Sequence, residues 1–85
     1  MNDTTTINNY ANMIAMRFWL RIGSEVETRG MSFRKIGTAA GVDHTLISEH
    51  VRIARSGKLP CDTRLEIIDR ICRALDRPLS YFLKD

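Results

Sequence analysis

Several kinds of segment are missing from this chain, and their absence bounds what it can be. Its 85 residues contain no run of about 18 consecutive apolar residues, so we expect no membrane-spanning helix. The opening residues, MNDTTTINNY, are polar and lack a basic segment followed by an apolar block, so we expect no secretory signal. No alternating strand pattern occurs either. The sequence therefore predicts one all-α domain over residues 1–85, cytoplasmic by default, with residues 1–6 disordered.

Cysteine and histidine are also scarce, with two of each. Cys61 and Cys72 lie in a segment expected to be largely helical, where a rise of about 1.5 Å per residue would separate them by roughly 16 Å, too far for a disulfide. His44 and His50 do not complete any zinc-ligand spacing, so we expect no metal and no other cofactor. The sequence also lacks a phosphate-binding loop, a nucleophile with a placed base, and an evident carboxylate pair. We therefore do not expect an enzyme.

What the chain does contain is a pair of short helices joined by a tight turn, between residues 31 and 55. Ser32 is suited to cap the first helix, over residues 32–40, and Gly41 can adopt the left-handed backbone that ends it. Asp43 is placed to cap a second helix over residues 44–55, whose apolar positions keep helical spacing. This pattern is that of a helix-turn-helix, whose second helix can enter a DNA major groove.

The same stretch resembles the Cro and phage-repressor family, the lambda-repressor-like or XRE-type helix-turn-helix proteins. The matching pairs are Met31-Ser32, Ile36-Gly37, Gly41-Val42 and Ile47-Ser48. A closing element over residues 74–83, where a helix ends in Ala-Leu and a short apolar turn follows, extends the resemblance. The resemblance implies a compact five-helix domain, of bacterial or phage origin, that binds double-stranded DNA as a homodimer and acts as a transcriptional repressor.

Two positions depart from the family pattern. Phe33 stands where the family commonly has a Gln that contacts phosphate, so Arg34 is the candidate to replace that contact. Gly37 replaces the usual Ala, which lowers helix propensity but keeps the residue small where the two helices would cross.

Three further helices are predicted outside this motif. The first runs from about residue 7 to residue 28, with Gly23 interrupting it. Its apolar stripe consists of Ile7, Ala11, Ile14, Phe18, Ile22 and Val26. A capping box formed by Thr63 and Glu66 predicts the start of the fourth helix, and Pro78 predicts its end. One face of this helix carries Leu65, Ile68, Cys72 and Leu75, with Ile67, Ile71 and Ala74 beside it. A short final helix follows, with Ser80 as its candidate cap.

Positive charge is concentrated on and around the helix-turn-helix. Residues 29–58 carry six Arg or Lys against two Asp or Glu, giving +4, whereas the rest of the chain carries seven against eight, giving −1. A localised positive field is typical of phosphate binding. The alternative is an ordinary solvated charged surface.

The motif also predicts which side chains would contact DNA. The candidates for base contact near the start of the second helix are His44, Thr45, Ser48, Glu49 and Arg52. Arg52 could bond guanine, Glu49 could accept from a cytosine amino group, and Thr45 could contact a thymine methyl or a phosphate. The candidates for the DNA backbone are Ser32, Arg34, Lys35, Arg55 and Lys58. His50 falls where the family packs an apolar residue inward, so we expect a partly buried neutral histidine.

A second face of the first helix carries Met13, Met16 and Leu20, well away from the main stripe. These residues are either buried in a compact bundle or form a dimer or partner surface, which Met favours. Trp19 lies at the edge of the main stripe, and the sequence does not decide whether it belongs to the core or to an interface. The alternative function is a protein-interaction module, such as an antitoxin, that docks a small protein partner through this face.

Overall fold

Five α-helices form the structure. It is a computed structural model that describes residues 3–58 and 63–83, with side chains from Met13 onward. The helices are α1 (Asp3–Arg29), α2 (Phe33–Ala40), α3 (His44–Arg55), α4 (Leu65–Ala74) and α5 (Leu79–Leu83). Within the described ranges there is no strand. The prediction of a small all-α domain with five helices is confirmed, and the bounds of α2 and α3 match their predictions within one residue.

Two helices, α3 and α5, pack along α1, and α2 packs against α3 and α4. Helix α1 has 27 residues, which corresponds to a length of about 40 Å. It begins four residues before the predicted start and continues through Gly23. Phe18, Trp19 and Ile22 are fully buried on the side that meets α3 and α5. Trp19 is therefore a core residue, and its ring lies edge-on to Phe18 at 5.0 Å between centroids, a favourable aromatic geometry.

The N-terminal part of α1 departs from the predicted stripe. Ile14, predicted to face the core, is 41% exposed. The molecule measures 44 Å along its long axis and 24 Å across. The first described buried side chain of α1 is Ala15. The side chains of Ile7 and Ala11, also part of the predicted stripe, lie outside the described residues.

The start of α4 differs from its prediction. The helix is capped at Arg64 without a side-chain hydrogen bond, so the predicted capping box of Thr63 with Glu66 is wrong. The hydroxyl of Thr63 instead accepts a hydrogen bond from Trp19 Nε1 at 3.1 Å, because burying the indole requires a partner for its N–H. Glu66 is paired one turn along with Arg70, at 2.9 Å.

The inward face of α4 is also narrower than predicted. Ile68, Ile71 and Cys72 are buried, but Leu65 is 79% exposed. Leu65 lies in the first turn of the helix and lines an open groove of about 480 Å³ beside Ile68 and Cys72, not the core.

The chain reverses between α4 and α5 through Asp76, a non-glycine residue with a left-handed φ of 54°. The N–H of Arg77 donates to the carbonyl of Cys72 at 3.0 Å and closes the turn. Pro78 precedes α5 and Leu79 begins it, so Ser80 lies inside the helix and its predicted role as the cap is wrong. The fixed φ of proline is suited to starting a helix, which moves the start before Ser80. Phe82 of α5 is buried 5.2 Å from the ring of Phe18.

Candidate nucleic-acid interface

Local chemistry at three residues sets the ends of α2 and the start of α3. The hydroxyl of Ser32 accepts from the N–H of Lys35 at 3.0 Å and caps α2. Gly41 ends α2 with a left-handed φ of 71°, which glycine adopts without a Cβ penalty. The carboxylate of Asp43 accepts from the N–H of Thr45 at 2.9 Å and caps α3. The predicted caps at both ends of the turn are confirmed.

Gly37 sets how closely the turn packs on α2. Its carbonyl accepts from the N–H of Val42 at 2.9 Å, so the chain folds back directly onto this residue. A Cβ at position 37 would lie 2.5 Å from the carbonyl oxygen of Val42 and 3.0 Å from the backbone nitrogen of His44. Both atoms belong to the backbone and cannot rotate away. Any side chain at this position would therefore force the backbone of the turn to shift, a tighter condition than the small residue that the sequence predicts.

The buried face of α3 fits against α1. Ile47, Val51 and Ala54 are buried, as their spacing predicts. Val51 lies over Gly23 of α1, where an added Cβ would come within 2.8 Å of Val51 Cγ1. Gly23, which the sequence predicts to interrupt the helix, therefore leaves the space in which Val51 of α3 packs against α1.

His50 packs on the same side. Its ring centroid lies 4.9 Å from that of Trp19, and its Nδ1 is 2.8 Å from the carbonyl oxygen of Leu46. The prediction of a partly buried histidine is confirmed.

The outward face of α3 brings together the five residues predicted for base contact. Thr45, Glu49 and Arg52 are exposed, and His44 and Ser48 are partly exposed. Ser48 is locally satisfied, since its hydroxyl donates to the carbonyl of Thr45 at 3.1 Å. Glu49 and Arg52 form an ion pair one turn apart. The hydrogen bond from Arg52 lowers the pKa of Glu49, and the same bond raises the pKa of Arg52, so both groups are charged at neutral pH.

The residues predicted to contact the DNA backbone differ in whether they form ion pairs. Arg34 and Lys35 are exposed at the first turn of α2, and Lys58 is exposed after α3. Within the described ranges, none of these three forms an ion pair. Arg55, in contrast, pairs with Glu27 of α1 at 2.6 Å, and Arg29 pairs with Glu25 at 3.0 Å.

Ion pairs neutralise some of the positive charge counted in residues 29–58. Three of the six cations in residues 29–58 (Arg29, Arg52 and Arg55) are held by carboxylates, two of which lie outside that range. The cations without a described carboxylate partner are Arg34, Lys35 and Lys58. The positive field is therefore concentrated at the start of α2 and the end of α3.

One contact to the turn escapes sequence reasoning. Arg70 of α4 donates from Nη1 to the carbonyl of Gly41 at 3.3 Å, and its other nitrogen is held by Glu66. The two residues are 29 positions apart, so no local pattern indicates the contact. From the sequence, the four-residue spacing of Glu66 and Arg70 predicts only the ion pair between them.

The predicted partner face of α1 is divided by the structure. Met13 and Leu20 are 52% and 38% exposed, whereas Met16 is partly buried against the core. Ile14 and Leu83 extend the exposed part, because they line a groove of about 290 Å³ together with Met13 and Arg17. Sequence reasoning missed Leu83, which reaches α1 only through the tertiary fold.

Within the described ranges, no three His, Cys, Asp or Glu side chains cluster as metal ligands would. Cys72 is a free thiol whose pKa burial raises, and Cys61 lies outside the described residues. None of the helices described combines the length and apolarity that a bilayer crossing requires.

Comparison with protein-family models, curated proteins and solved structures finds no match to this chain.

Proposed function

We propose that this protein is a sequence-specific, double-stranded DNA-binding regulator of the Cro and phage-repressor kind, acting as a repressor. The observation that carries the proposal is the placement of α3. This helix follows a left-handed turn at Gly41, buries Ile47, Val51 and Ala54 on one face, and presents polar side chains on the other. A helix of 12 residues held in this way is the element that helix-turn-helix proteins insert in a major groove.

In the proposed complex, Arg52 reads guanine by two parallel hydrogen bonds, the commonest specific contact to a base. Glu49 holds the Arg52 guanidinium on the outward face of α3. Because its pKa is lowered, Glu49 stays ionised, so it can accept from a cytosine amino group and repels a misplaced phosphate. Thr45 and His44, in the first turn of α3, are available to neighbouring bases.

In this proposal, the cations that pair with no described carboxylate bind the DNA backbone. Arg34 and Lys35 lie where the N-terminal end of α2 adds its own positive field, and Lys58 follows the end of α3. Ser32 retains its hydroxyl hydrogen as a donor to phosphate while it caps α2. Arg55 contributes to phosphate binding only by leaving Glu27, so its contribution is smaller than its charge indicates.

The same proposal takes the protein to be a cytoplasmic homodimer of bacterial or phage origin without enzymatic activity. One α3 contacts only a few base pairs, and pairing two copies on half-sites about one helical turn apart supplies the specificity that a single copy lacks.

Selection from random DNA sequences with the purified protein tests the proposal. We expect an enriched motif, and we expect Arg52→Ala to relax preference at one base pair by about 1–3 kcal/mol, since a bidentate contact is lost. Arg73→Ala is the matched control, because Arg73 is an exposed arginine paired with Asp69 on α4. The proposal fails if no motif is enriched, or if variants at His44, Glu49 and Arg52 all select the same motif as the wild type.

A second candidate function is a protein-interaction module such as an antitoxin. The observation that favours it is the exposure of Met13 and Leu20 on α1. A stoichiometric complex with a small protein from the native host, lost in Met13→Lys but kept in Arg52→Ala, would support this alternative.

A further inference from the structure

Arg70 of α4 is an exposed arginine that reaches the turn of the helix-turn-helix from outside the motif. Its Nη1 donates to the carbonyl oxygen of Gly41 at 3.3 Å, and its Nη2 donates to Glu66 Oε1 at 2.9 Å. The Nη1 atom also lies 3.5 Å from the position that a Cβ of Gly41 would take, so the guanidinium rests against the backbone of the turn. Because the guanidinium is planar and rigid, the pair with Glu66 fixes the direction in which Nη1 points.

The carbonyl that Arg70 contacts stands where α2 ends and the chain turns toward α3. Gly41 is the C-terminal cap of α2, and its N–H and the N–H of Val42 both donate to the carbonyl of Gly37. Asp43, two residues after Gly41, caps α3. A hydrogen bond to Gly41 therefore acts on the backbone that joins the two helices, and not on either helix alone.

The distribution of charge along α2 gives a second reason for a cation at this end. The helix has 8 residues, its two cations (Arg34 and Lys35) lie in its first turn, and its last turn contains no basic residue. The helix dipole favours cations at the C-terminal end, where α2 has none of its own. Gly37, in the middle of the helix, lowers helix propensity further. Arg70 supplies from α4 the cation that α2 lacks at its C-terminal end.

Arg73, on the same helix, shows what an arginine of α4 does without this contact. It is exposed and forms the same kind of ion pair, with Asp69 at 3.0 Å and four positions apart. Its side chain lines the groove of about 480 Å³, all of whose lining residues lie between positions 65 and 79. An exposed ion pair by itself adds little to stability. The contact with Gly41 is therefore the feature that distinguishes Arg70 from Arg73.

From these contacts we propose that Arg70 is a positioning residue for DNA recognition: oriented by Glu66, it holds the turn at Gly41 and thereby the start of α3, without contacting DNA itself. The inference rests on the proposed function, because recognition by α3 is what the contact serves. A turn that is held before binding does not have to be ordered during binding, and ordering a loop costs affinity. The surface that determines recognition thus extends to α4.

Amide hydrogen exchange of the full chain, followed by NMR, tests the hold on the turn. The amide hydrogens of Gly41 and Val42 report its opening, because both are bonded to the carbonyl of Gly37. We expect both to exchange about three- to tenfold faster in Arg70→Ala, the factor that corresponds to the net contribution of one hydrogen bond. Arg73→Ala is the matched control, since it removes an equivalent ion pair from the same helix, and should leave both rates near those of the wild type. Circular dichroism establishes that each variant is folded.

DNA titration tests the role in recognition. With a duplex that carries the motif selected by the wild type, we expect Arg70→Ala to raise the dissociation constant about threefold or more relative to both the wild type and Arg73→Ala. The dependence of log K on log salt should not change, because Arg70 contacts no phosphate in this proposal, whereas the loss of a phosphate contact would reduce the slope by about one. Affinity for a duplex without the motif should also stay unchanged.

Three results would overturn the inference: turn amides that exchange no faster in Arg70→Ala than in Arg73→Ala, unchanged affinity of Arg70→Ala for the motif, or a reduced salt slope, which would make Arg70 a phosphate contact. A motif that both arginine variants bind equally well refutes this inference and leaves the proposed function intact. Selection that enriches no motif refutes the proposed function and the recognition role together, while the exchange rates still decide whether Arg70 holds the turn.

Discussion

Gly37→Ala tests whether the turn between α2 and α3 is as tightly packed as the backbone indicates. The substitution adds one methyl group inside a helix, a change that on helix propensity alone would stabilise the protein. At this position, however, the methyl carbon would lie 2.5 Å from the carbonyl oxygen of Val42 and 3.1 Å from Cα of His44. Propensity and packing therefore predict effects of opposite sign.

The magnitudes favour packing. Replacing Gly by Ala inside a helix contributes up to about 1 kcal/mol to stability. Forcing an extra carbon into a closely packed site costs about 1–3 kcal/mol, and backbone atoms relax less than side chains. We expect the free energy of unfolding to fall by about 0.5–2 kcal/mol, which lowers Tm by several degrees, given roughly 4–8 °C per kcal/mol for a domain of this size.

Urea unfolding followed by circular dichroism measures the effect. Thr38→Ala is the control, because Thr38 is the exposed neighbour on α2 and gains helix propensity without a clash. The Thr38 variant should be slightly more stable than the wild type and the Gly37 variant less stable. If Gly37→Ala matched or exceeded the stability of Thr38→Ala, the turn would be looser than the structure shows and the argument for a side-chain-free position would be wrong.

Three other contacts make measurable predictions. Glu27→Gln should release Arg55, strengthen DNA binding to any sequence and steepen the dependence of log K on log salt by about one. The free energy of unfolding should change little, because the ion pair is exposed. An unchanged slope would show that Arg55 does not reach phosphate. Thr63→Val removes the acceptor of the Trp19 indole and should destabilise the fold by about 1–3 kcal/mol in urea unfolding, more than an exposed threonine would. Alkylation at Cys72, followed by peptide mass spectrometry at pH 8, should be slow in the native protein and accelerate on unfolding, because burial raises the thiol pKa and lowers the thiolate fraction; equal rates in both states would contradict its burial.

Local chemistry explains why the helix-turn-helix was predictable. The caps at Ser32 and Asp43 and the left-handed Gly41 act within three residues of where they stand, so a sequence pattern contains them completely. The outward row of α3 follows from helical periodicity in the same way. Its assignment to DNA stays a prediction, which the proposed selection experiment tests.

Several errors came from the tertiary fold rather than from local sequence. Thr63 has the sequence context of a cap, but Trp19, 44 positions away, uses its hydroxyl as an acceptor. The charge count for the motif could not include Glu27, which reaches Arg55 from another helix. Ile14 follows the apolar period of α1, yet its side chain is 41% exposed, and periodicity alone does not reveal which positions other helices cover.

The two glycines at the base of α3 have a consequence for how this protein can change. Gly37 lies against the backbone at the start of α3, and Gly23 lies against the side chains of Val51 and Arg55, so the position of the helix depends on residues that never reach its outward surface. Substitutions at exposed positions such as Thr45 or Arg52 ordinarily alter stability by less than about 0.5 kcal/mol. The outward row can therefore acquire a new binding preference by single substitutions while the fold keeps nearly all of its stability, whereas a side chain at Gly23 or Gly37 would require neighbouring atoms to shift.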